Sequence, residues 1–95
     1  MIYEWDPEKA VENEGKHGLS FDEAAEVFLD PLALTFDDPD HSNDERRFIT
    51  IGVTTKQRVV FVSHADGDGD QIRIISARET TRRERNNYEE RSRKH

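Results

Sequence analysis

Ninety-five residues without a cysteine make one domain, residues 1–95, with no disulfide framework and no thiolate metal site. The 33% apolar content holds no run of membrane-spanning length, and the amino terminus lacks a signal peptide's apolar stretch. A soluble cytoplasmic protein is therefore expected. Its net charge of −7 argues against tight non-specific binding to nucleic acid, because phosphate affinity grows with the number of cations presented.

The charge is sorted along the chain. Residues 1–45 carry fourteen Asp and Glu against only Lys9 and Lys16, whereas residues 46–95 carry seven acids against twelve Lys and Arg. The basic half is densest at Arg78-Glu79-Thr80-Thr81-Arg82-Arg83-Glu84-Arg85, a cluster able to grip a few phosphates locally. Ile, Leu, Val and Phe number twenty-one, enough for a small core that a permanent partner would help to stabilise.

The first element is a short strand, Ile2-Tyr3-Glu4-Trp5. Asp6 suits the N-cap and Pro7 the first position of a helix running to about His17 and ending at Gly18. Asn13, Lys16 and His17 share one face of it. Ser20-Phe21-Asp22-Glu23 is a capping box for a second helix with an apolar stripe of Phe21, Ala24, Ala25, Phe28 and Leu29, stopped at Asp30-Pro31. Four strand-like runs follow: Leu32–Asp37, Arg47–Val53, Arg58–His64 and Gln71–Ala77. Their short polar connections favour an antiparallel meander. A second capping box, Thr81-Arg82-Arg83-Glu84, opens a polar final helix whose one large apolar side chain is Tyr88. The order β-α-α-β-β-β-β-α predicts an α+β fold, helices packed on a mostly antiparallel sheet.

Asp66-Gly67-Asp68-Gly69-Asp70 opens like a calcium loop, but Gln71 and Ala77 stand where that loop needs glycine and a bidentate carboxylate, so it reads as a hairpin turn. His17, His41, His64 and His95 lack metal-ligand spacing, and no cofactor is implied. What remains is basic groups beside titratable ones. Such a set can cut RNA without a metal: a base takes the 2′-hydroxyl proton, the oxygen attacks the adjacent phosphate, and cations stabilise the developing charge while an acid protonates the leaving oxygen. The candidates are Lys16 and His17 at a helix end, Glu45 and Arg47 entering a strand, Arg78 leaving the last strand, and Tyr88 on the last helix. The amides after Thr81 offer a further anion site. Each residue has a plainer reading. Lys16-His17-Gly18 suits an ordinary helix C-terminus, Arg47 and Arg73 suit exposed strand positions, Arg78 suits a pair with Glu84, and Tyr88 suits a pin between helix and sheet.

Trp5-Asp6, Asn13, Lys16-His17-Gly18, Ser20-Phe21, Glu23-Ala24, Val27-Phe28 and Asp30-Pro31 form one block of a familiar pattern. Glu45-x-Arg47-Phe48, Gly52, Ile72-Arg73-Ile74-Ile75-Ser76-Ala77-Arg78, Glu84 and Tyr88 form the rest. Together they resemble the BrnT family of bacterial type II toxins over nearly the whole chain. The resemblance implies a RelE-like fold and an endoribonuclease that arrests translation. It also implies a BrnA-like ribbon-helix-helix antitoxin, in a 2:2 heterotetramer, through which operator DNA is bound. The residues it carries over are Lys16, His17, Glu45, Arg47, Arg73, Arg78 and Tyr88. In the reading adopted here, His17 is the first candidate for acid or base. Lys16, Arg47 and Arg78 grip the scissile phosphate, and Arg73, Arg82, Arg83 and Arg85 bind RNA. Five residues apart on a regular strand, Arg73 and Arg78 are expected on opposite faces. One departure is Glu79-Thr80 after Arg78, where relatives commonly carry a basic residue and alanine; a carboxylate there would oppose phosphate binding. The alternative is a weak or inactive module that only completes an antitoxin–operator complex; a third and weaker one is an acidic nucleic-acid mimic.

Overall fold

The computed structural model describes residues 2–42 and 44–93. His95, one of the histidines weighed as a metal ligand, lies outside the described residues. Five strands form one sheet in the order β1-β5-β4-β3-β2. They are β1 (Ile2–Glu4), β2 (Leu34–Asp37), β3 (Arg47–Val53), β4 (Val59–Asp66) and β5 (Gln71–Glu79). Strands β2 to β5 form the expected antiparallel meander, while β1 pairs parallel with β5. Helices α1 (Pro7–His17) and α2 (Phe21–Ala24) lie on one face, and α3 (Arg82–Arg93) meets the other through Tyr88.

Local chemistry accounts for the helix ends. Asp6 accepts the Glu8 N–H at 2.9 Å, and Gly18 closes α1 with φ of 64°, the left-handed conformation that favours glycine. Thr81 and Glu84 complete a reciprocal capping box on α3 at 3.2 and 2.8 Å. At α2 only half of the expected box forms. Ser20 accepts the Glu23 N–H at 3.1 Å, but the Glu23 carboxylate turns inward to Arg58 and Thr54.

The second helix is shorter than its capping signals suggest. After Ala24 the chain tightens into a 3-10 segment, Ala25–Leu29. With three residues per turn, Val27 follows Ala24 and Phe21 into the core and Leu29 swings out to 77% exposure, contrary to the predicted stripe. Val27 packs so closely on β3 that a Cβ at Gly52 would lie 3.0 Å from the Val27 Cβ. Asp30 then starts a turn by accepting the Leu32 N–H at 2.9 Å, which delays β2 to Leu34.

The sheet separates two apolar clusters. Leu19, Phe21, Ala24, Val27, Val60, Val62, Ile74 and Ala77 pack between the helices and the sheet. Ile49, Ile51, Val59 and Tyr88 pack on the opposite face. Asn13 links α1 to β5, donating to the Leu19 and Ala77 carbonyls at 3.1 and 2.9 Å and accepting the Ala77 N–H at 3.1 Å. It does for β5 what a neighbouring strand would do beyond the short β1. No helix among the described residues is long and apolar enough to cross a membrane.

His64 sits in the helix-side core with its ring between Phe28 and Phe48 and its Nε2 2.8 Å from the Thr50 hydroxyl. Burial pushes its imidazole down to about 4, against a small upward pull from Asp66. The folded state thus holds a neutral ring that the unfolded chain protonates below about 6.5, so stability present above that pH is lost as pH falls towards 4. The urea midpoint is expected to decline in the upper part of this window, between about pH 6.5 and 5, in the wild type and to stay nearly flat there in His64→Leu. Below that range the depressed carboxylates of Glu23 and Glu84 begin to cost stability in both. A flat wild-type profile would show that the ring is not held neutral.

Candidate active site

The sheet face opposite α1 and α2 gathers the basic strand residues. Arg47 and Arg73 both pair with Ala65 of β4, one from each side, and Arg78 pairs with Phe61. Ala65 and Phe61 are four residues apart on β4 and face the same way. Arg73 and Arg78 therefore share a face, against the expectation that they would point apart. The reason is a bulge: Ser76 is opposite Ser63 and Ile74 opposite His64, which leaves Ile75 unmatched and shifts the side-chain alternation by one.

A cavity of about 330 Å³ lies on this face, with Arg47 and Arg78 at its sides and Ile49, Ser63, Ile75 and Ser76 on its walls. Asp38 and His41, from the connection between β2 and β3, complete the rim. Arg78 stacks its guanidinium 4.0 Å above the Phe61 ring and is held in a fork by Glu84 at 2.8 and 3.0 Å. The hydrogen bond from Arg78, aided by Thr81 and opposed by burial, holds the Glu84 carboxyl below the usual range. Arg73 bonds Glu45, which also lies 3.7 Å from the Arg47 Nε. That separation is beyond hydrogen-bond reach, so the buried Arg47 Nε has no acceptor among the described residues. A buried guanidinium donor without an acceptor is costly, and the Glu45 carboxylate offsets part of that cost by charge alone.

The remaining candidates stand apart from this centre. Lys16 and His17 line a neighbouring hollow with Lys9, Glu12 and Asn13, and the two hollows share Ile75 and Ser76 as a common ridge. Tyr88 is 7% exposed and donates its hydroxyl to Asp30. Burial, with the Asp30 bond adding to it, pushes its phenol up to about 12, so it keeps its proton at neutral pH. Asp30 also accepts the Leu32 and Val53 N–H groups at 2.9 Å each, tying the end of the 3-10 segment, the end of β3 and α3 together. The geometry of Tyr88 is that of a pin. Arg82 and Arg83 are exposed in the first turn of α3, and Arg85 pairs with Glu89 at 2.9 Å. The expected anion site after Thr81 is partly filled by the protein, because the capping box takes the Thr81 and Glu84 N–H groups.

Glu79, the departure beside Arg78, alternates to the helix-side face opposite Val60 and contributes to the field at Arg58. The carboxylate that meets Arg78 is Glu84. Sequence reasoning passed over Asp38 and His41 as a pair. Their i, i+3 spacing across Pro39 was the available signal, but only the fold brings them to the arginines. Among the described residues no group of three or more His, Asp or Glu side chains is arranged to hold a metal ion.

A family model described as the ribonuclease toxin, BrnT, of type II toxin-antitoxin systems matches residues 5–84. The 1.1 Å crystal structure of the Brucella abortus ribonuclease toxin, BrnT, is similar to this chain with a TM-score of 0.68 and 25% sequence identity, over 86% of this chain and 100% of that one. No curated protein matches. With the family pattern spanning most of its length and the same fold beneath it, the chain belongs to the BrnT ribonuclease toxin family of type II toxin–antitoxin systems.

Proposed function

We propose that this ribonuclease toxin cleaves RNA internally and without a metal ion, by attack of a 2′-hydroxyl on the adjacent phosphate, and so arrests translation in the cytoplasm. The observation that carries the reading is the open-face cavity, which Arg47 and Arg78 line together. Two guanidinium groups at one phosphate stabilise the charge that gathers on its non-bridging oxygens as the P–O5′ bond breaks. The products are a 2′,3′-cyclic phosphate and a 5′-hydroxyl; the proton lost by the 2′-oxygen is balanced by the one gained at the 5′-oxygen. Arg73 extends the row of cations towards a neighbouring phosphate, and Arg82, Arg83 and Arg85 add charge along α3. Lys16 and His17 meet the strand across the Ile75–Ser76 ridge, where His17 serves as acid or base; Glu45 is the carboxylate closest to Arg47 and Arg73. Tyr88 acts by fixing α3, and with it Glu84, against the sheet.

A type II toxin has a protein antitoxin as its partner. Here we infer a BrnA-like ribbon-helix-helix protein in a 2:2 heterotetramer that binds operator DNA through the antitoxin. A second reading, a binding module that completes this complex without cutting RNA, is favoured by one feature. Arg73 and Arg78 are already paired with Glu45 and Glu84.

Labelled RNA incubated with the protein in EDTA at low salt decides between the two. The wild type should cut RNA, spare an all-deoxy copy, and lose about 10²–10³-fold in rate in Arg78→Ala. RNA left intact, even with ribosomes added, would establish the binding module. Glu84→Gln keeps a capping side chain while removing the charge that neutralises Arg78. It should tighten binding of a non-cleavable oligonucleotide about fivefold at low salt, as expected for loss of one partly exposed ion pair. Unchanged or weaker binding would mean that the paired form of Arg78 is the one that holds RNA.

A further inference from the structure

We propose that His41 is a proton-transferring catalytic residue of this site and that Asp38 is its positioning residue, an assignment that rests on the ribonuclease reading above. Pro39–His41 forms a short 3-10 turn between β2 and β3. Three hydrogen bonds brace this turn, two of them to Arg47, the first residue of β3. Asp38 donates its N–H to the Arg47 carbonyl at 2.9 Å, the Ser42 hydroxyl donates to the Asp38 carbonyl at 2.7 Å, and Arg47 donates its N–H to the same hydroxyl at 2.9 Å. The His41 turn and Arg47 are thus held in fixed relation.

The His41 Nδ1 lies 2.9 Å from the Asp38 carboxylate, which is 14% exposed, whereas the imidazole is 67% exposed. A ring nitrogen bound to a carboxylate fixes the orientation of the imidazole and leaves Nε2 to exchange a proton with a ligand. Both residues line the cavity that also holds Arg47 and Arg78. His17 lines the adjoining hollow, and His64 is enclosed on the helix side of the sheet. Of the described histidines, His41 is the one that shares a cavity with both arginines.

The step needs no co-reactant. Nε2 either accepts the 2′-hydroxyl proton while the 2′-oxygen bonds to phosphorus, or gives a proton to the 5′-oxygen while the P–O5′ bond breaks. In either role the opposite proton transfer at the other oxygen falls to a second group, and one proton exchanged with water afterwards returns the histidine to its starting state.

The test is steady-state cleavage in EDTA by wild type, His41→Ala and Asp38→Asn, each first checked for an unchanged melting temperature. Loss of positioned proton transfer should lower kcat about 10²–10⁴-fold in His41→Ala, with KM changed by less than about threefold. Added imidazole should restore part of that rate, and Asp38→Asn should show a smaller loss. Wild-type cleavage matched by His41→Ala, or a loss confined to KM, or a kcat loss that imidazole leaves untouched, would overturn the assignment alone. A wild type that leaves RNA intact would overturn the ribonuclease reading, and this assignment with it.

Discussion

Ile75 is the residue of β5 that β4 does not match, and the arrangement of the basic face depends on it. Without that extra residue, the five positions from Arg73 to Arg78 would place the two guanidinium groups on opposite sides of the sheet. With it, both join Arg47 on the face away from α1 and α2. The bulge falls just beyond the last pair between β1 and β5, Glu4 with Arg73, where β5 loses its neighbouring strand. Two residues later Asn13 takes over, bonding both backbone groups of Ala77 from α1. One irregularity therefore turns the arginines to a common face, makes a ridge between two hollows and meets the helix that carries Lys16 and His17.

Charge along the chain and charge in space tell different stories. The acidic first half and basic second half meet in the folded protein, because Glu45 is brought to Arg73 and Glu23 to Arg58. The Glu23–Arg58 pair is structural. Its carboxylate is buried and held below its usual range first by the Arg58 hydrogen bond, against burial and with help from Thr54. On the open face the pairing is less complete: the Arg47 Nε has no acceptor among the described residues, and Arg78 has exposed surface despite its fork with Glu84. A chain with net charge −7 can hold phosphates locally on such a face while repelling nucleic acid elsewhere.

Features set by neighbours in sequence were legible. The Asp6 cap, the Gly18 stop, the Thr81–Glu84 box and the aspartate-rich turn between β4 and β5 involve residues a few positions apart, and each forms. The family was legible too, because its blocks are spread along the chain in a specific order. Features set by distant partners were not. Leu29 fits a helical stripe, yet the 3-10 segment that fits Val27 against Gly52 turns it to solvent. Asp30 reads as a helix stop but also binds Tyr88 across the fold, and Glu23 reads as a cap but serves Arg58. A bulge cannot be read from one strand, since it is defined by the register of two. Hence Arg73 and Arg78 were assigned opposite faces, and the Asp38–His41 pair passed unnoticed.

The claim that the bulge assembles a single phosphate-binding face is tested most directly by nuclear magnetic resonance of the arginine Nε–H groups during titration with an all-deoxy oligonucleotide at low salt. Resonances of Arg47, Arg73 and Arg78 should shift together with one affinity, while that of Arg58, bound to Glu23 on the helix side, stays in place. Shifts confined to Arg82, Arg83 and Arg85, with Arg47 and Arg78 unmoved, would contradict the account and place the phosphate contacts on α3 alone.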